Sequence, residues 1–366
     1  MRQMKILIAP LDWGLGHATR CIPIIRYLLE KKCEVIVGAD GRPLQLLQKE
    51  PACRQAGFLQ LPGYNISYPK NGSMVLKIAS QIPQILSGIK REHELLKKII
   101  TEKKIDAVIS DNRFGLWSRE VPCVFMTHQL MVKSPFGEKF IHHLNKKYIS
   151  KYSVCWVPDV SEQGLSGDLS HKFPLPKNTR YIGVLSRFAS SPSILLKENG
   201  VRNKALFILS GPEPQRTIFE KKILEQLVSP LTSILKGKRV LIVQGITEKK
   251  ERRKISETVE MVSYLTSDEL QKEILSSEII LSRSGYSTVM DLAVLGRKTL
   301  FVPAPGQTAQ EYLAGYFSEK KIAYSVSQKK FDLQTALKES ERYSGFTQKY
   351  PAGEFKKAAD EFLSSL

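Results

Sequence analysis

The stretch KILIAPLDWGLGH at residues 5–17 decides the fold, because an apolar run there ends in a turn rich in glycine. Residues 5–9 predict a short buried parallel strand, and the proline and glycines after it predict a loop. Residues 18–31 then place apolar side chains at helical spacing, and residues 35–38 form a second apolar run. A strand, a loop, a helix and a second strand in this order predict an α/β domain with a parallel sheet.

The same alternation recurs along the remainder of the 366 residues, a length that suits two domains. Further strands are predicted at 105–110, 123–126, 154–157, 205–209, 239–243, 278–281 and 298–302. A proline-rich stretch without periodicity at 172–177 predicts a linker near 174–190. The sequence therefore predicts two doubly wound, Rossmann-like domains, 1–178 and 179–348, that face a cleft. A final helix is predicted within 349–366.

The composition is that of a globular protein, with 42% hydrophobic and 25% charged residues. No apolar run approaches the ~20 residues that span a bilayer. The apolar start at residues 6–9 is also shorter than the core of a signal peptide, so the expected location is the cytoplasm. The five cysteines are scattered and include no CxxC pair, which argues against a zinc site and favours buried, reduced thiols.

The chain is strongly basic. The net charge is +19, and the first 180 residues carry 27 Lys and Arg against 15 Asp and Glu. Such an excess suits nucleic acid, an anionic membrane or an acidic substrate. The lysines lie in helix-like stretches without interleaved aromatic residues, and no pattern of a common nucleic-acid module is present, so no nucleic-acid partner is expected. Peripheral contact with an anionic membrane and an ordinary solvated basic surface both stay open.

Polar residues that follow the strands of the first half mark one candidate site, since ligands bind beyond the carboxyl ends of parallel strands. His17 is the candidate general base, because a histidine titrates near neutral pH. Asp111 and His128 are the rival candidates, and each also has a structural interpretation as an orienting polar group. The candidates for contact with an acceptor substrate are Gly14, Gly16 and Arg113.

The stretch SRSGYSTVMD at residues 282–291 marks a second candidate site. A strand ends there, a turn follows, and a helix begins with hydroxyl side chains. Backbone donors, the hydroxyls and Arg283 can together bind a diphosphate. Asp291 lies one helical turn beyond Ser287, where a carboxylate can accept hydrogen bonds from a ribose. The alternative is a capped surface helix without a ligand.

These residues, followed by Gly296, the run FVP at 301–303 and the pair at 310–311, resemble the donor-binding half of glycosyltransferase family 28. The loop GLGHATR at 14–20 is similar to the acceptor-side loop of the same GT-B superfamily. The resemblance implies a GT-B fold in which the last helix crosses back to the first domain. It also implies a UDP-sugar as co-substrate, with no metal and no other cofactor. The implied donor-binding residues are Ser210, Gly211, Tyr264, Leu265, Arg283, Ser284, Gly285, Ser287, Thr288, Asp291, Gln310 and Glu311.

Within the resemblance, Leu265 contacts the nucleotide base through its backbone, Asp291 takes the ribose, and Gln310 and Glu311 contact the donor sugar. Two departures from the family pattern affect this assignment. The sequence SGPEPQ at 210–215 replaces a glycine-rich loop, and its two prolines remove backbone donors. Glu311 stands where MurG-like members have glutamine, which leaves the donor sugar open.

The sequence therefore predicts an enzyme, a glycosyltransferase of the hexosyltransferase type. The expected donor is a UDP-hexose or UDP-N-acetylhexosamine, and the expected acceptor is a hydroxyl of a lipid-linked or cell-envelope saccharide. Inversion at the anomeric carbon is implied by the resemblance alone. The alternatives are a sugar-nucleotide 2-epimerase of GT-B architecture and a non-catalytic sugar-nucleotide-binding protein.

Overall fold

The computed structural model describes residues 2–64, 80–133, 138–172, 174–189, 204–228, 235–348, 350 and 353–366. The described residues form two compact units. The first contains those up to Arg187 together with the C-terminal segment from Tyr350, and the second contains those between Phe188 and Lys349. The boundary drawn from the sequence, between residues 178 and 179, falls inside the first unit, because Thr179–Tyr181 forms an edge strand there.

The first unit contains a seven-stranded sheet with the order β3-β2-β1-β4-β5-β6-β7, and its strand pairs are parallel. The strands are β1 (Lys5–Pro10), β2 (Glu34–Ala39), β3 (Gly57–Gln60), β4 (Ala107–Asp111), β5 (Cys123–Met126), β6 (Val154–Val157) and β7 (Thr179–Tyr181). The apolar residues of β1 are buried, as a central parallel strand requires, because helices cover both faces of such a sheet.

The helices of the first unit are α1 (Leu15–Glu30), α2 (Gly41–Lys49), α3 (Ile82–Lys103), α4 (Glu138–Ile149) and the single turn α5 (Asp168–His171), with a 3₁₀ helix at Pro51–Cys53. Gly14, just before α1, has a φ of 89°, which glycine adopts without strain. The sequence predicts a helix over 73–102 with a break at Pro83. Pro83 instead lies in the first turn of α3, where its missing N–H interrupts no hydrogen bond, and residues 73–79 lie outside the described residues.

The second unit contains a seven-stranded sheet with the order β10-β11-β9-β8-β12-β13-β14. The strands are β8 (Lys204–Ile208), β9 (Arg239–Val243), β10 (Arg252–Lys254), β11 (Val259–Val262), β12 (Ile279–Ser282), β13 (Leu300–Phe301) and β14 (Tyr324–Ser325). Only β10 pairs antiparallel among these described strands, and it occupies an edge. The lysine-rich segment 248–254, predicted as a solvated loop or helix face, contains this exposed edge strand.

The helices of the second unit are α6 (Gln215–Val228), α7 (Ser267–Ser276), α8 (Tyr286–Val294), α9 (Thr308–Glu319) and α10 (Leu333–Ser340). They cover a core in which Phe207 of β8, Ile242 of β9 and Leu281 of β12 are buried. Strands and helices alternate in this unit as they do in the first. The prediction of an α/β protein with two Rossmann-like, doubly wound parts is therefore confirmed.

The last helix, α11 (Glu354–Ser364), packs on the first unit. Phe355 and Phe362 meet the ring of Trp156 edge-on, with ring centroids 6.1 and 5.7 Å apart. The Tyr27 hydroxyl donates a hydrogen bond of 2.8 Å to Asp360. Because apolar and polar contacts both join α11 to the first unit, the predicted return of the last helix is confirmed.

Candidate active site

The three proposed catalytic side chains of the first unit lie at one edge of its sheet. His17 is in the first turn of α1, Asp111 ends β4, and His128 follows β5. Asp111 stands opposite Pro10 of β1 and Met126 of β5, so the loops that carry His17 and His128 begin beside it. The carboxyl ends of neighbouring parallel strands therefore bring these residues together, as expected for an open α/β sheet.

A fourth residue, Arg20, joins these side chains into one group, called here the Arg20 cluster (His17, Arg20, Asp111 and His128). Arg20 is 2% exposed, and its Nε donates to Oδ2 of Asp111 at 2.7 Å while Nη2 donates to Oδ1. Its Nη1 lies 2.8 Å from Nδ1 of His128, and Nη2 lies 2.8 Å from Nδ1 of His17. One guanidinium thus holds a carboxylate in a fork and contacts two imidazoles.

His128 is held in a form that suits a donor and not a base. A guanidinium can only donate hydrogen bonds, so Nδ1 of His128 accepts from Arg20 and the proton of the neutral ring lies on Nε2. The amide nitrogen of Gln129 lies 3.2 Å from that Nε2, and a flip of the amide group places its oxygen there, where it accepts this proton. Burial, and then the charge of Arg20, lower the pKa of His128 well below its usual 6.5. His128 is therefore neutral at pH 7, with no free lone pair on Nε2.

Nδ1 of His17 also faces Arg20, but unlike His128 it has the Asp111 carboxylate beside it as an acceptor, so His17 can carry its proton on Nδ1 and keep Nε2 as the base. Its side chain is 14% exposed, whereas Asp111 is fully buried. Burial and the neighbouring Arg20 lower the pKa of His17, so the imidazole is neutral at pH 7. Burial alone would raise the pKa of Asp111, but Arg20 and His17 outweigh it and lower that pKa below its usual 3.8. The cluster therefore holds an ionised carboxylate 3.2 Å from Nδ1 of a neutral histidine.

Arg113, an acceptor-contact candidate from the sequence, lies in a separate buried network. Its side chain is fully buried; its Nε pairs with Glu92, and Nη1 donates to the Leu61 carbonyl at 3.1 Å. Glu92 also accepts from the Tyr64 hydroxyl at 2.8 Å. These contacts fix the loop after β3 to α3, so the geometry gives Arg113 a structural role and the expectation of acceptor contact is corrected.

In the second unit, Arg283 follows β12 and is 3% exposed. Its Nη1 donates to the Val302 carbonyl at 2.9 Å, and Nη2 donates to Oε1 of Gln328 at 2.8 Å. The guanidinium carbon lies 4.4 Å from the centre of the Phe219 ring. No described carboxylate lies within ion-pair distance of Arg283, and Nε is buried without a hydrogen-bond partner. Burial lowers the pKa of the guanidinium to about 9, which still leaves it charged at pH 7.

Gly211 and the start of α8 lie close to this cation in the fold. A Cβ placed on Gly211 would be 3.9 Å from Nε of Arg283, so this glycine lies directly beside the N–H that has no partner. Gly285 is the N-cap residue of α8 and has no side chain with which to cap the helix. Ser287 and Thr288 lie partly exposed in the first turn. The Arg283 site (Arg283, Gly211 and the first turn of α8) therefore combines a cation with helix N–H groups, a combination suited to an anion.

The loop after β8 differs from this open arrangement. Ser210 and Gly211 are partly exposed, but Glu213 accepts from the Thr217 amide at 3.2 Å and from its hydroxyl at 2.8 Å. Glu213 also pairs with Arg216. A carboxylate therefore already occupies the start of α6, which agrees with the expectation that this proline-containing loop has lost diphosphate donors.

Four further donor candidates make contacts within the protein. The Ser284 hydroxyl donates to the Gln310 carbonyl at 2.7 Å, and the Gln310 side chain accepts from the Ala304 amide at 3.0 Å. Glu311 is exposed and accepts from the Gly306 amide at 2.9 Å. Asp291 is buried in α8, as Arg283 is before it, and the ribose contact assigned to it from the sequence stays a prediction. These side chains shape the loops of the site, and only Glu311 is exposed.

Tyr264 and Leu265 follow β11 and are both buried. The main chain of Leu265 has no hydrogen bond to another described residue, which leaves its N–H and C=O available to an edge of a nucleotide base.

The sequence assigns no role to Arg20, although the structure places it at the centre of the Arg20 cluster. The signal for it is the helical spacing of His17 and Arg20 in the loop GLGHATR, which places both side chains on one face of α1.

Comparison with known proteins finds glycosyltransferases. Residues 219–362 match the C-terminal domain of glycosyltransferase family 28. An uncharacterized glycosyltransferase of Methanosarcina acetivorans is 23% identical over 342 residues, which cover 88% of this chain and 86% of the relative.

Solved structures show the same fold at low sequence identity. MurG of Acinetobacter baumannii is 12% identical, with a TM-score of 0.58 over 99% of this chain and 100% of its own. UGT89C1 of Arabidopsis thaliana, in complex with UDP-L-rhamnose, is 13% identical, with a TM-score of 0.59 over 100% of this chain and 99% of its own. The GT-B fold and the resemblance to family 28 are therefore confirmed, and the chain is an enzyme of the glycosyltransferase class.

Proposed function

We propose that the protein transfers a sugar from a nucleotide diphosphate sugar, a UDP-hexose or UDP-N-acetylhexosamine, to a hydroxyl of a lipid-linked or cell-envelope saccharide. The observation that carries the proposal is the Arg283 guanidinium, a buried cation without a carboxylate partner among the described residues, beside a helix start whose N-cap residue is glycine. A buried charge is costly unless it is paired, and a diphosphate supplies two negative groups for the cation and the helix N–H groups. The Leu265 backbone then binds the nucleotide base of the donor.

In the proposed reaction the acceptor hydroxyl attacks the anomeric carbon while the bond from that carbon to the diphosphate oxygen breaks. The electron pair leaves with the nucleoside diphosphate, whose charge Arg283 and the α8 N-terminus stabilise without a metal. The hydroxyl proton passes to Nε2 of His17, and Asp111 stabilises the imidazolium through Nδ1. Attack on the face opposite the leaving group inverts the anomeric carbon.

The donor is tested by calorimetry with UDP, TDP, ADP and GDP, followed by incubation with the matching nucleotide sugars and analysis of the products. Release of nucleotide that depends on an added saccharide acceptor supports the proposal. A changed sugar nucleotide without acceptor identifies a 2-epimerase, and binding without turnover identifies a non-catalytic protein. If none of the four nucleotides binds at any pH between 6 and 8, the donor assignment is wrong.

Contact with an anionic membrane is a further part of the proposal, with the enzyme on the cytoplasmic face. Within the described residues, no helix is long and apolar enough to cross a bilayer. On α3, however, Ile82 is 49% exposed and Leu86 is 50% exposed, and Lys90 continues the same helix face one turn further on. Apolar side chains beside basic ones suit the interface of an anionic bilayer.

Flotation with phosphatidylglycerol and phosphatidylcholine vesicles tests this contact. We expect salt-sensitive binding to the anionic vesicles and its loss in the double variant Ile82→Ser/Leu86→Ser. Ile218→Ser is the matched control, since Ile218 of α6 is 44% exposed in the second unit. Equal flotation of both variants, or none by the parent protein at low salt, contradicts the membrane contact.

A further inference from the structure

Arg20 occupies the centre of the Arg20 cluster, and its position bears on the proton transfer of the proposed function. The guanidinium is buried between Asp111 and the Nδ1 atoms of His17 and His128. Resting on the proposed function, we propose that Arg20 is a positioning residue for His17: it competes with Asp111 for Nδ1 and so sets which ring nitrogen of His17 carries the proton.

The competition follows from the atoms around Nδ1 of His17. That nitrogen faces a donor, Nη2 of Arg20 at 2.8 Å, and an acceptor, Oδ1 of Asp111 at 3.2 Å. If Nδ1 carries the proton, it donates to Asp111 and Nε2 keeps a free lone pair, which is the form that acts as a base. If Nδ1 is bare, it accepts from Arg20 and the proton lies on Nε2. Arg20 thus stabilises a donor form of His17 and Asp111 stabilises the base form.

The second consequence concerns charge. Two acidic groups face His17 and favour its charged form: Asp111 from β4 and Asp12 from the loop after β1. Arg20 on α1 disfavours that charged form, and His128 after β5 also lies near the ring. When His17 gains a proton, the imidazolium stands beside a guanidinium, which disfavours the charged ring. Arg20 therefore keeps His17 neutral at lower pH than the two carboxylates alone would allow. It also returns the accepted proton more readily to solvent after the transfer.

Substitutions of Arg20 separate this role from a purely structural one. In Arg20→Gln we expect the acid limb of the kcat profile to move to higher pH by about one unit, because a cation close to the imidazole is lost. Arg20→Lys keeps the charge but loses the fork, so its limb stays near that of the parent while kcat falls at every pH. Arg26→Gln, elsewhere on α1, is the control, and we expect it to keep the acid limb and the kcat of the parent.

Nitrogen-15 NMR of the imidazole rings provides a second reading that needs no substrate. In the parent protein the shifts of His17 identify a population with the proton on Nε2, and in Arg20→Gln the proton moves to Nδ1 and His17 titrates at higher pH. A parent His17 ring with its proton on Nδ1 alone overturns the proposal even if Arg20→Gln does not fold. Equal losses of kcat at all pH values in Arg20→Gln and Arg20→Lys also overturn it. If the parent transfers no sugar, the proposed function fails while the NMR titration still decides the role of Arg20.

Discussion

Arg20 in the first unit and Arg283 in the second are both buried arginines at the carboxyl edge of a parallel sheet, but their surroundings differ. Arg20 is forked onto the Asp111 carboxylate, whereas Arg283 donates only to neutral oxygens, among them the Val302 carbonyl and the Gln328 side chain. The first charge is neutralised within the protein, and the second is not. The comparison agrees with the proposed roles, in which Arg20 organises the candidate catalytic side chains and Arg283 meets an anionic ligand.

The protein keeps Arg283 charged at a cost that a bound anion would offset. Burial lowers its pKa, yet the guanidinium stays protonated at neutral pH, and one N–H is left without a partner in the described part of the chain. A site with an unpaired cation discriminates against neutral ligands, because only an anion offsets the unfavourable charge. The following predictions test whether the two arginines differ in this way.

The largest effect is expected at His17, the proposed general base. His17→Ala should lower the transfer rate by about 10²–10⁴-fold, because no other group of the Arg20 cluster has both exposure and a free lone pair. The affinity for UDP should stay within twofold of the parent value, since the proposed donor site lies in the second unit. His143→Ala, at an exposed position on α4, serves as the control for both measurements. Full transfer activity in His17→Ala would move the base to Asp111.

The stability of the fold should separate the two arginines next. Arg20→Met leaves the buried Asp111 carboxylate without its partner, so we expect the free energy of unfolding to fall by about 3–5 kcal/mol. Arg283→Met strands no charge and leaves only carbonyl groups without a donor, a loss of about 1–3 kcal/mol. Urea denaturation of both variants measures the difference. Equal losses would show that Arg283 has a charge partner after all.

For nucleotide affinity the order should be reversed, with the larger loss in Arg283→Met and the smaller in Arg20→Met. Arg283→Met removes a charge-assisted hydrogen bond to the diphosphate, worth about 1.5–3 kcal/mol, so the Kd for UDP should rise about 10- to 100-fold. Arg20→Met should leave this Kd unchanged as long as it folds. Calorimetry with UDP and with uridine gives the test, because uridine lacks the diphosphate and should bind both variants alike. A parent-like Kd in Arg283→Met contradicts the diphosphate assignment.

The smallest effect concerns pH. The folded protein keeps His128 neutral far below pH 6.5, whereas the unfolded chain takes up a proton near that pH. The unfolded state therefore binds more protons below pH 6.5, and stability falls there as the pH falls, by up to about 1.4 kcal/mol per pH unit. His128→Gln should flatten this slope between pH 6.5 and 5, and His143→Gln should not. An unchanged slope in His128→Gln would show that the histidine is protonated in the folded state.

Much of the fold follows from the sequence, since long apolar runs specify central strands. The predicted bounds of β5, β6 and β9 match the structure because each is a continuous apolar segment inside a sheet. The edge strand β7 has the sequence Thr-Arg-Tyr and is only half-buried, so it carries no such signal. Its pairing with β6 depends on tertiary contacts that a local pattern does not contain.

The candidate sites were predictable in part for the same reason. Strand ends place His17, Asp111 and His128 together, because neighbouring parallel strands end at one edge. The direction of a long side chain is different, since it depends on partners far away in the chain. Arg113 turns to Glu92 and Arg283 turns to Val302 and Gln328, and no local spacing distinguishes these arginines from surface residues.

The position of α11 makes the second unit an inserted domain. The chain leaves the first unit at Arg187 and rejoins it at Tyr350. The exit and return segments are neighbours, because a Cβ on Gly183 would lie 2.9 Å from the Glu354 carboxylate. Both ends of the insertion are therefore anchored side by side, so a short linker between them would yield the first unit as one uninterrupted polypeptide with its last helix retained.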